Sequence, residues 1–447
     1  MMDGTIAAVA TPPGEGGIAV IRVSGEKARD ILSGCFVRAS GEGMEPGRLC
    51  YGRVIGRDGA PIDEAMAVFL PAPCTYTRED VAEIQCHGGT VQARRVLGRV
   101  LELGARAAKP GEFTQRAFLG GRIDLSQAEA VMALVASGSE AAARAACRQL
   151  DGGVSATMRK LAGELIDQLA LIGAGDDFPE EVEEQAAAVA VLERARRVRE
   201  QLIALSDPRN ARILREGLNV VLAGRPNTGK SSLLNALLGS DRAIVTEYAG
   251  TTRDLLSEAL SVEGCRVTLI DTAGQRDADD PIERMGVERA RGAQRDADLV
   301  LLVLDGSEPL TPEDDRLIEG ADGRCVAVVN KCDLDERIDG ARLADLKTLR
   351  VSARTSEGVP ALRALIAREA ARAAAAEDQL TVERHIDCAK GAIAAIERAI
   401  GAIDSGLPLD LAAVDLMSAL DQLLAITGKN ASEAVIDSVF ANFCVGK

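Results

Sequence analysis

The stretch Leu218–Ser232, LNVVLAGRPNTGKSS, decides how this chain is read. Its first six residues form an almost unbroken apolar run, the pattern of a parallel strand buried on both faces. A glycine-rich turn follows, and GRPNTGKS has the spacing GxxxxGK[ST] between an expected strand and an expected helix, the context that gives the motif its meaning. The backbone N–H groups from Gly224 to Gly229 then converge on phosphates, Lys230 reaches the terminal ones, and the Ser231 hydroxyl suits Mg²⁺. Asn227, Thr228, Gly229, Lys230, Ser231 and Ser232 are the phosphate-side candidates.

Downstream, buried-strand patterns (CRVTLIDTAG, ADLVLLVLDG, CVAVVNKCD, TLRVSA) alternate with helical ones, as a parallel α/β sheet requires. Their ends carry chemistry. In DTAG, Asp271 is placed for the metal shell, Thr272 and Ala273 follow, and the N–H of Gly274 is placed to sense a γ-phosphate. NKCD supplies Asn330, Lys331 and Asp333, whose carboxylate accepts the two adjacent N–H donors of guanine. Adenine has no such donor pair and would leave the carboxylate unpaired, so the nucleotide read from these residues is GTP. Ser352 and Ala353 in VSA fit the loop that closes on the base.

Between strand signals, TEYAGTTRD reads as a loop ordered by the γ-phosphate, with Thr252 rather than Thr251 as the second Mg²⁺ ligand. Asn227 inside the phosphate loop has two readings. With oxygens of the loop around Thr246, Tyr248 and Thr251 it holds a monovalent cation where other GTPases use an arginine finger, or it is a turn-favouring residue.

Outward from this segment the texture changes. Short β-branched segments separated by Gly and Pro turns precede it at a distance, then Ala-, Glu- and Arg-rich sequence at helical period. The expected organisation is an N-terminal α+β domain over 1–118, a helical bundle domain over 119–213 and 376–447, and a Ras-like P-loop G domain with a mostly parallel sheet inserted at 214–375. No apolar run approaches the roughly 18 residues of a membrane span, and MMDGTIAAVATPPGEGG lacks the basic start and long apolar stretch of a signal peptide. The expectation is a cytoplasmic protein. Ten scattered cysteines without a CxxC pair suggest neither zinc nor a disulfide framework. A formal charge of −16 argues against a protein that coats nucleic acid, so any RNA contact is local. Two basic runs, Arg94 to Lys109 and Arg194 to Arg215, supply candidates, and a solvated helix face explains each as well. With 2% aromatic residues and no Trp, base-stacking platforms are not expected.

Further phrases carry a resemblance: TIAAVATPPGEGGIAVIRVSG, YTREDVAEIQCHGG, KPGEFTQRAFLGGRIDLSQAEA, DFPEE, AIVTEYAGTTRD, IERMGVERA and the terminal FCVGK. With the phosphate loop they make the chain similar, over nearly its whole length, to the MnmE (TrmE) family of GTPases that take part in modifying the wobble uridine of tRNA. The resemblance implies an N-terminal domain that forms a homodimer and binds a 5-formyltetrahydrofolate or related tetrahydrofolate. It implies G domains that pair across the nucleotide with K⁺ bound. It also implies a complex, expected as a heterotetramer, with the flavoprotein MnmG, adding an aminomethyl or carboxymethylaminomethyl group at uridine C5. By motif match the folate residues are Arg22, Glu79, Arg122 and Lys447. Each arginine also reads as an ordinary surface or interdomain ion pair.

The tail poses its own question. Cys444 stands where C-a-a-X prenylation would fall, but the chain ends in Lys with no polybasic stretch before it. The resemblance instead implies a docked tail, in which Cys444 is a reactive thiol or a positioning residue. One position departs from the family: Gln275 follows DTAG where the family has an aliphatic residue, so Gln275 and the family's candidate, Glu283 in IERMG, compete as the residue that positions water. The rival class is a regulatory GTPase in ribosome assembly or at a membrane. A KH-type GxxG appendage or amphipathic anchor beside the G domain would favour it, and neither is found.

Overall fold

The computed structural model describes residues 4–41, 43–177, 184–239, 257–262, 264–271, 297–374 and 379–446. Its contacts divide into two compact units. One comprises Met1–Met132, Gln149–Arg196 and Ala394–Lys447; the other comprises Ala133–Arg148 and Arg197–Ile393.

The first unit contains a sheet of β1 (Ile6–Val9), β2 (Ile18–Ser24), β3 (Phe36–Arg38), β4 (Cys50–Ile55), β5 (Pro61–Leu70), β6 (Val81–His87) and β7 (Arg106–Ala107), in the order β3-β4-β5-β6-β2-β1-β7. Its pairs are antiparallel except β1 with β7. One face buries Ala7, Ile21, Val23, Ala67, Ile84 and Cys86 against the helices Ala28–Cys35 and Thr90–Glu102, so the period-2 alternation sends the other set of side chains outward. The same unit holds two long helices, Gly153–Asp177 and Leu409–Thr427, that pack along each other; Met158, Leu161, Leu165, Leu416, Ala419 and Leu423 on them are buried. Ser432 caps the last helix, Glu433–Ala441, by accepting the Val435 N–H.

The second unit is built on β8 (Leu218–Ala223), β9 (Ser257–Val262), β10 (Cys265–Asp271), β11 (Leu299–Asp305), β12 (Cys325–Asn330) and β13 (Lys347–Arg350). Their order is β13-β12-β11-β8-β10-β9, all parallel apart from β9. Alternate residues of β8 feed two cores. Val220 and Leu222 meet the helices Lys230–Leu238 and Val359–Ala374 on one face; Val221 and Ala223 join Leu302, Leu304 and Ala327 on the other. Burial on both faces is why the strand reads as continuous apolar sequence. β8 lies between β10 and β11, so the connections leave it in opposite directions, and ligands in open α/β sheets bind outside the carboxyl ends of the strands at such a switch point. Among the described residues no helix is long and apolar enough to cross a membrane.

Candidate functional site

The sheet register lines up the strand ends that carry the motifs. Asp271 pairs with Leu222, Leu302 with Ala223, and Asp305 with Asn330, so the phosphate loop, DTAG and NKCD emerge along one edge. Within the loop Lys230 is buried, and its Nζ donates to the carbonyls of Gly224 at 2.7 Å and Arg225 at 2.8 Å. Thr228 is buried and its hydroxyl donates to the Arg225 carbonyl at 3.0 Å. Asn227 is exposed with φ 66°, a left-handed conformation that asparagine tolerates. Ser231 and Ser232 are exposed in the first turn of the helix Lys230–Leu238.

The base pocket is the better-defined half. Asn330, buried at the end of β12, donates from Nδ2 to the Thr228 carbonyl at 2.8 Å and accepts the Ala353 N–H on Oδ1 at 3.0 Å. One side chain thereby ties the phosphate loop to the VSA loop. Gly229 is required for this: at φ 92° a Cβ would lie 2.3 Å from Asn330 Nδ2. Asp333 accepts the Ser352 hydroxyl on Oδ1 at 2.6 Å and an Nη2–H of Arg354 on Oδ2 at 2.6 Å; the Ser352 bond, aided by Arg354, holds the carboxyl below its ordinary range. Lys331 meets Asp305 at 2.5 Å. Burial by itself would raise the Asp305 carboxyl, but Lys331 and two bonds from Ser307 outweigh it and keep the group ionised. Asn330, Lys331, Asp333, Ala353 and Arg354 line a pocket of about 250 Å³ with Gly229 and Leu334 also on its wall.

Several candidates lie outside the described residues: Thr246, Tyr248, Thr251, Thr252, Thr272, Ala273, Gly274, Gln275, Glu283 and Lys447. Asp271 is described as the last residue of β10.

In the other unit, Arg22 and Arg122 converge on Tyr76. Their guanidinium carbons lie 5.9 Å and 4.6 Å from its ring centroid, and Arg22 is also 5.8 Å from that of Phe113. Arg22 Nε donates to Glu83 at 2.9 Å. Glu79 accepts Arg116 Nη1 on both oxygens, at 3.0 and 2.9 Å, and the Ser24 hydroxyl at 2.7 Å. Arg116 also donates to Glu112 at 3.1 Å and to the Gly4 carbonyl at 2.9 Å. Glu112 is buried, which by itself would raise its pKa, yet Arg106, the Lys109 N–H and Arg116 bring it down to about 2.

The tail docks beside this network. Phe443 and Phe440 are buried with ring centroids 5.2 Å apart, and Phe440 lies 6.2 Å from Phe118. The Gly111 N–H donates to the Cys444 carbonyl at 3.4 Å. Gly446, at φ 97°, lets the backbone pass so close to β1 that a Cβ would lie 2.4 Å from the Val9 carbonyl. The Cys444 side chain is exposed. Val445 reaches a cleft of about 610 Å³ formed by β1, the loop Thr11–Gly16 and the start of the helix Thr90–Glu102; Arg22, Glu79 and Arg122 are not on its wall.

Sequence reading missed Tyr76, Glu112 and Arg116, which organise the arginine site, and Arg354, which faces the base pocket. Neither Arg116 in EFTQRAFL nor Arg354 beside VSA carries a local sequence signal that marks it out. Part of the basic runs is engaged within the fold: Arg99 donates to the Ile55 and Gly34 carbonyls, and Arg209 and Arg212 pair with Asp298.

A strand, phosphate loop and helix at a switch point, with Asn330, Asp333 and Ser352 around a base pocket, define a P-loop G domain of the GTPase class. Residues 5–122 match the model of the GTP-binding protein TrmE N-terminus, and residues 125–444 match that of the MnmE helical domain. The chain belongs to the MnmE (TrmE) family. The tRNA modification GTPase MnmE of Geobacillus kaustophilus (strain HTA426) is 45% identical over 460 residues, covering 99% of each chain. That of Bacillus subtilis (strain 168) is 42% identical over 458 residues, covering 99% of this chain and 100% of the other. A solved G domain of the T. maritima FeoB iron transporter matches 34% of this chain at 26% identity with a TM-score of 0.27, too slight a likeness to carry an argument.

Proposed function

We propose that this chain is the GTP-hydrolysing component of a system that modifies the wobble uridine of tRNA. A guanine-reading pocket inside a chain that matches tRNA modification GTPases over 99% of its length carries the reading. The nucleotide's base is read by Asp333 and Asn330, and its phosphates by Asn227, Thr228, Gly229, Lys230, Ser231 and Ser232. The exposed Ser231 hydroxyl at a helix start fits Mg²⁺, with Thr252 as the second ligand; bound there, the ion neutralises charge on the phosphates. The exposed Asn227, with Thr246, Tyr248 and Thr251, would hold K⁺ in place of an arginine finger. Glu283, rather than Gln275, positions the water.

The one-carbon unit comes from a tetrahydrofolate held by Arg22, Glu79, Arg122 and Lys447. Two cations over an aromatic ring with a carboxylate nearby suit a ligand that combines a flat polar ring and carboxylates. Cys444 acts there by position or as a thiol. The active assembly is a cytoplasmic homodimer joined to the flavoprotein MnmG, and the domains run 1–118, 119–213 with 376–447, and 214–375. The test is the wobble-uridine content of tRNA from cells lacking this protein. The expected result is loss of the C5 substituent, restored by the parent chain, with purified protein hydrolysing GTP faster in K⁺ than in Na⁺ at equal ionic strength. Unchanged tRNA would overturn the reading.

A further inference from the structure

The carboxylate that reads the base already has a cationic partner on the wall of the same pocket. Asp333 and Arg354 both line the 250 Å³ cavity. Arg354 Nη2 lies 2.6 Å from Asp333 Oδ2, with side-chain exposures of 75% for the arginine and 11% for the aspartate. The other oxygen is held differently: Ser352 is fully buried, its hydroxyl donates to Oδ1 at 2.6 Å and accepts the Thr355 N–H at 3.1 Å. Ser352 is therefore fixed by the fold, whereas the guanidinium sits at the end of a long exposed side chain that can leave without disturbing the core.

We infer that Arg354 is a specificity-determining residue that competes with the base for Asp333, so that a nucleotide enters by exchanging its own N–H donors for those of the guanidinium. The inference rests on the guanine reading of this site. The N1–H and exocyclic N–H of guanine address both carboxylate oxygens from the pocket side, where Arg354 now contributes a charge-assisted bond. A guanine edge replaces what it displaces. An adenine edge presents an acceptor at the same point, so it either leaves the carboxylate unpaired or leaves Arg354 in place and stays outside. Because the guanidinium is largely exposed and regains water when it leaves, the exchange is nearly balanced and Arg354 tunes recognition rather than blocking it.

The test uses the full chain with fluorescent GDP and ADP analogues. Arg354→Ala is expected to tighten GDP by about three- to fivefold, mainly through a faster association rate, the upper part of the range for an ion pair whose cation is exposed. ADP affinity should fall or stay within about twofold, since loss of a positive charge near the site cannot favour an anion. Arg354→Lys, which keeps a cation in reach, should stay within about twofold of the parent for GDP. In an Asp333→Asn background, where the neutral amide gives the guanidinium no ion pair, Arg354→Ala should leave binding of a xanthosine diphosphate within about twofold. Weaker GDP binding by Arg354→Ala would overturn the proposal, because Arg354 would then be holding the base. So would an equal tightening of ADP or of the xanthine nucleotide, which would mark a steric effect. A parent chain that does not prefer GDP over ADP would sink the guanine reading itself.

Discussion

The nucleotide site and the arginine site of the N-terminal domain solve opposite problems with the same residue types. In the nucleotide site the polar groups come from loops at strand ends and bond within their own motif or to the next one along the sheet edge. Lys230 reaches carbonyls five and six residues away, and Asn330 bridges two loops. In the arginine site Arg116 is buried among partners far apart in sequence: it joins Glu79, 37 residues off, to the Gly4 carbonyl, 112 residues off. A backbone-built site tolerates exposed side chains and keeps a recognisable spacing. A site built from buried charges depends on the whole domain being folded, because an ion that loses its partner in the interior is strongly destabilising.

If the two sites are separable in this way, the tail separates them most sharply. Deleting residues 444–447 removes Val445 from its cleft and Gly446 from its passage beside Val9. The expected outcome is complete loss of tRNA modification with GTP turnover within about twofold of the parent, measured on the same preparation. Parallel loss of both activities would mark the tail as a folding element for the whole chain. Asp333→Asn cuts the other way. It should weaken guanine nucleotide binding by at least about a hundredfold, because the amide turns a donor toward the guanine N–H groups, while xanthine nucleotides gain. Thermal unfolding of the N-terminal domain should not move.

These two regions also differ in how much of them the sequence discloses. Parallel strands buried on both faces leave apolar runs, and a phosphate loop needs Gly where the backbone turns back on itself, so β8, β11, β12 and the loop between Gly224 and Ser231 are legible. The N-terminal sheet is legible as alternation, but its strand order, with β1 in the interior between β2 and β7, depends on pairings no local pattern specifies. Arg116 and Glu112 sit in EFTQRAFL as an unremarkable i, i+4 pair that would read as a solvated helix face; both are nearly fully buried because Arg106, Glu79 and Gly4 arrive from elsewhere. Arg354 is hidden for the opposite reason, as an exposed arginine whose partner is visible only once NKCD and VSA are brought together.

The buried network makes a quantitative prediction. Glu112 has a folded pKa of about 2 against an ordinary value of 4.5, so its contribution is fully present above about pH 4.5 and is lost as pH falls toward 2. That difference corresponds to on the order of 3 kcal/mol. Glu112→Gln should cost the N-terminal domain stability of this order at pH 7 and flatten its acid-unfolding profile between pH 4.5 and 2, followed by circular dichroism in denaturant. An acid profile indistinguishable from the parent's would mean that Arg116 is held by Glu79 alone.

The smallest expected effect comes from an ion pair of the same domain that lies at its surface. His87, at the end of β6, sets its Nδ1 2.8 Å from Asp63 Oδ1, and its backbone N–H donates to Oδ2 at 2.9 Å. The Asp63 hydrogen bond and charge raise the imidazole above 6.5, while the ring itself is exposed. A raised histidine stabilises the fold fully below its unfolded pKa and loses that contribution as pH rises through the folded value. Between about pH 6 and 8 the parent should therefore lose slightly more stability than Asp63→Asn, whose histidine has only the amide to bond. The chain has two histidines, His87 and the buried His385, so proton NMR can follow the exposed ring by itself. Its titration midpoint should fall toward 6.5 in Asp63→Asn, whereas Glu112→Gln should leave it in place. If Glu112→Gln shifts it as well, the charges of this domain act as one coupled set, and the contrast between a buried network and an independent surface pair does not hold.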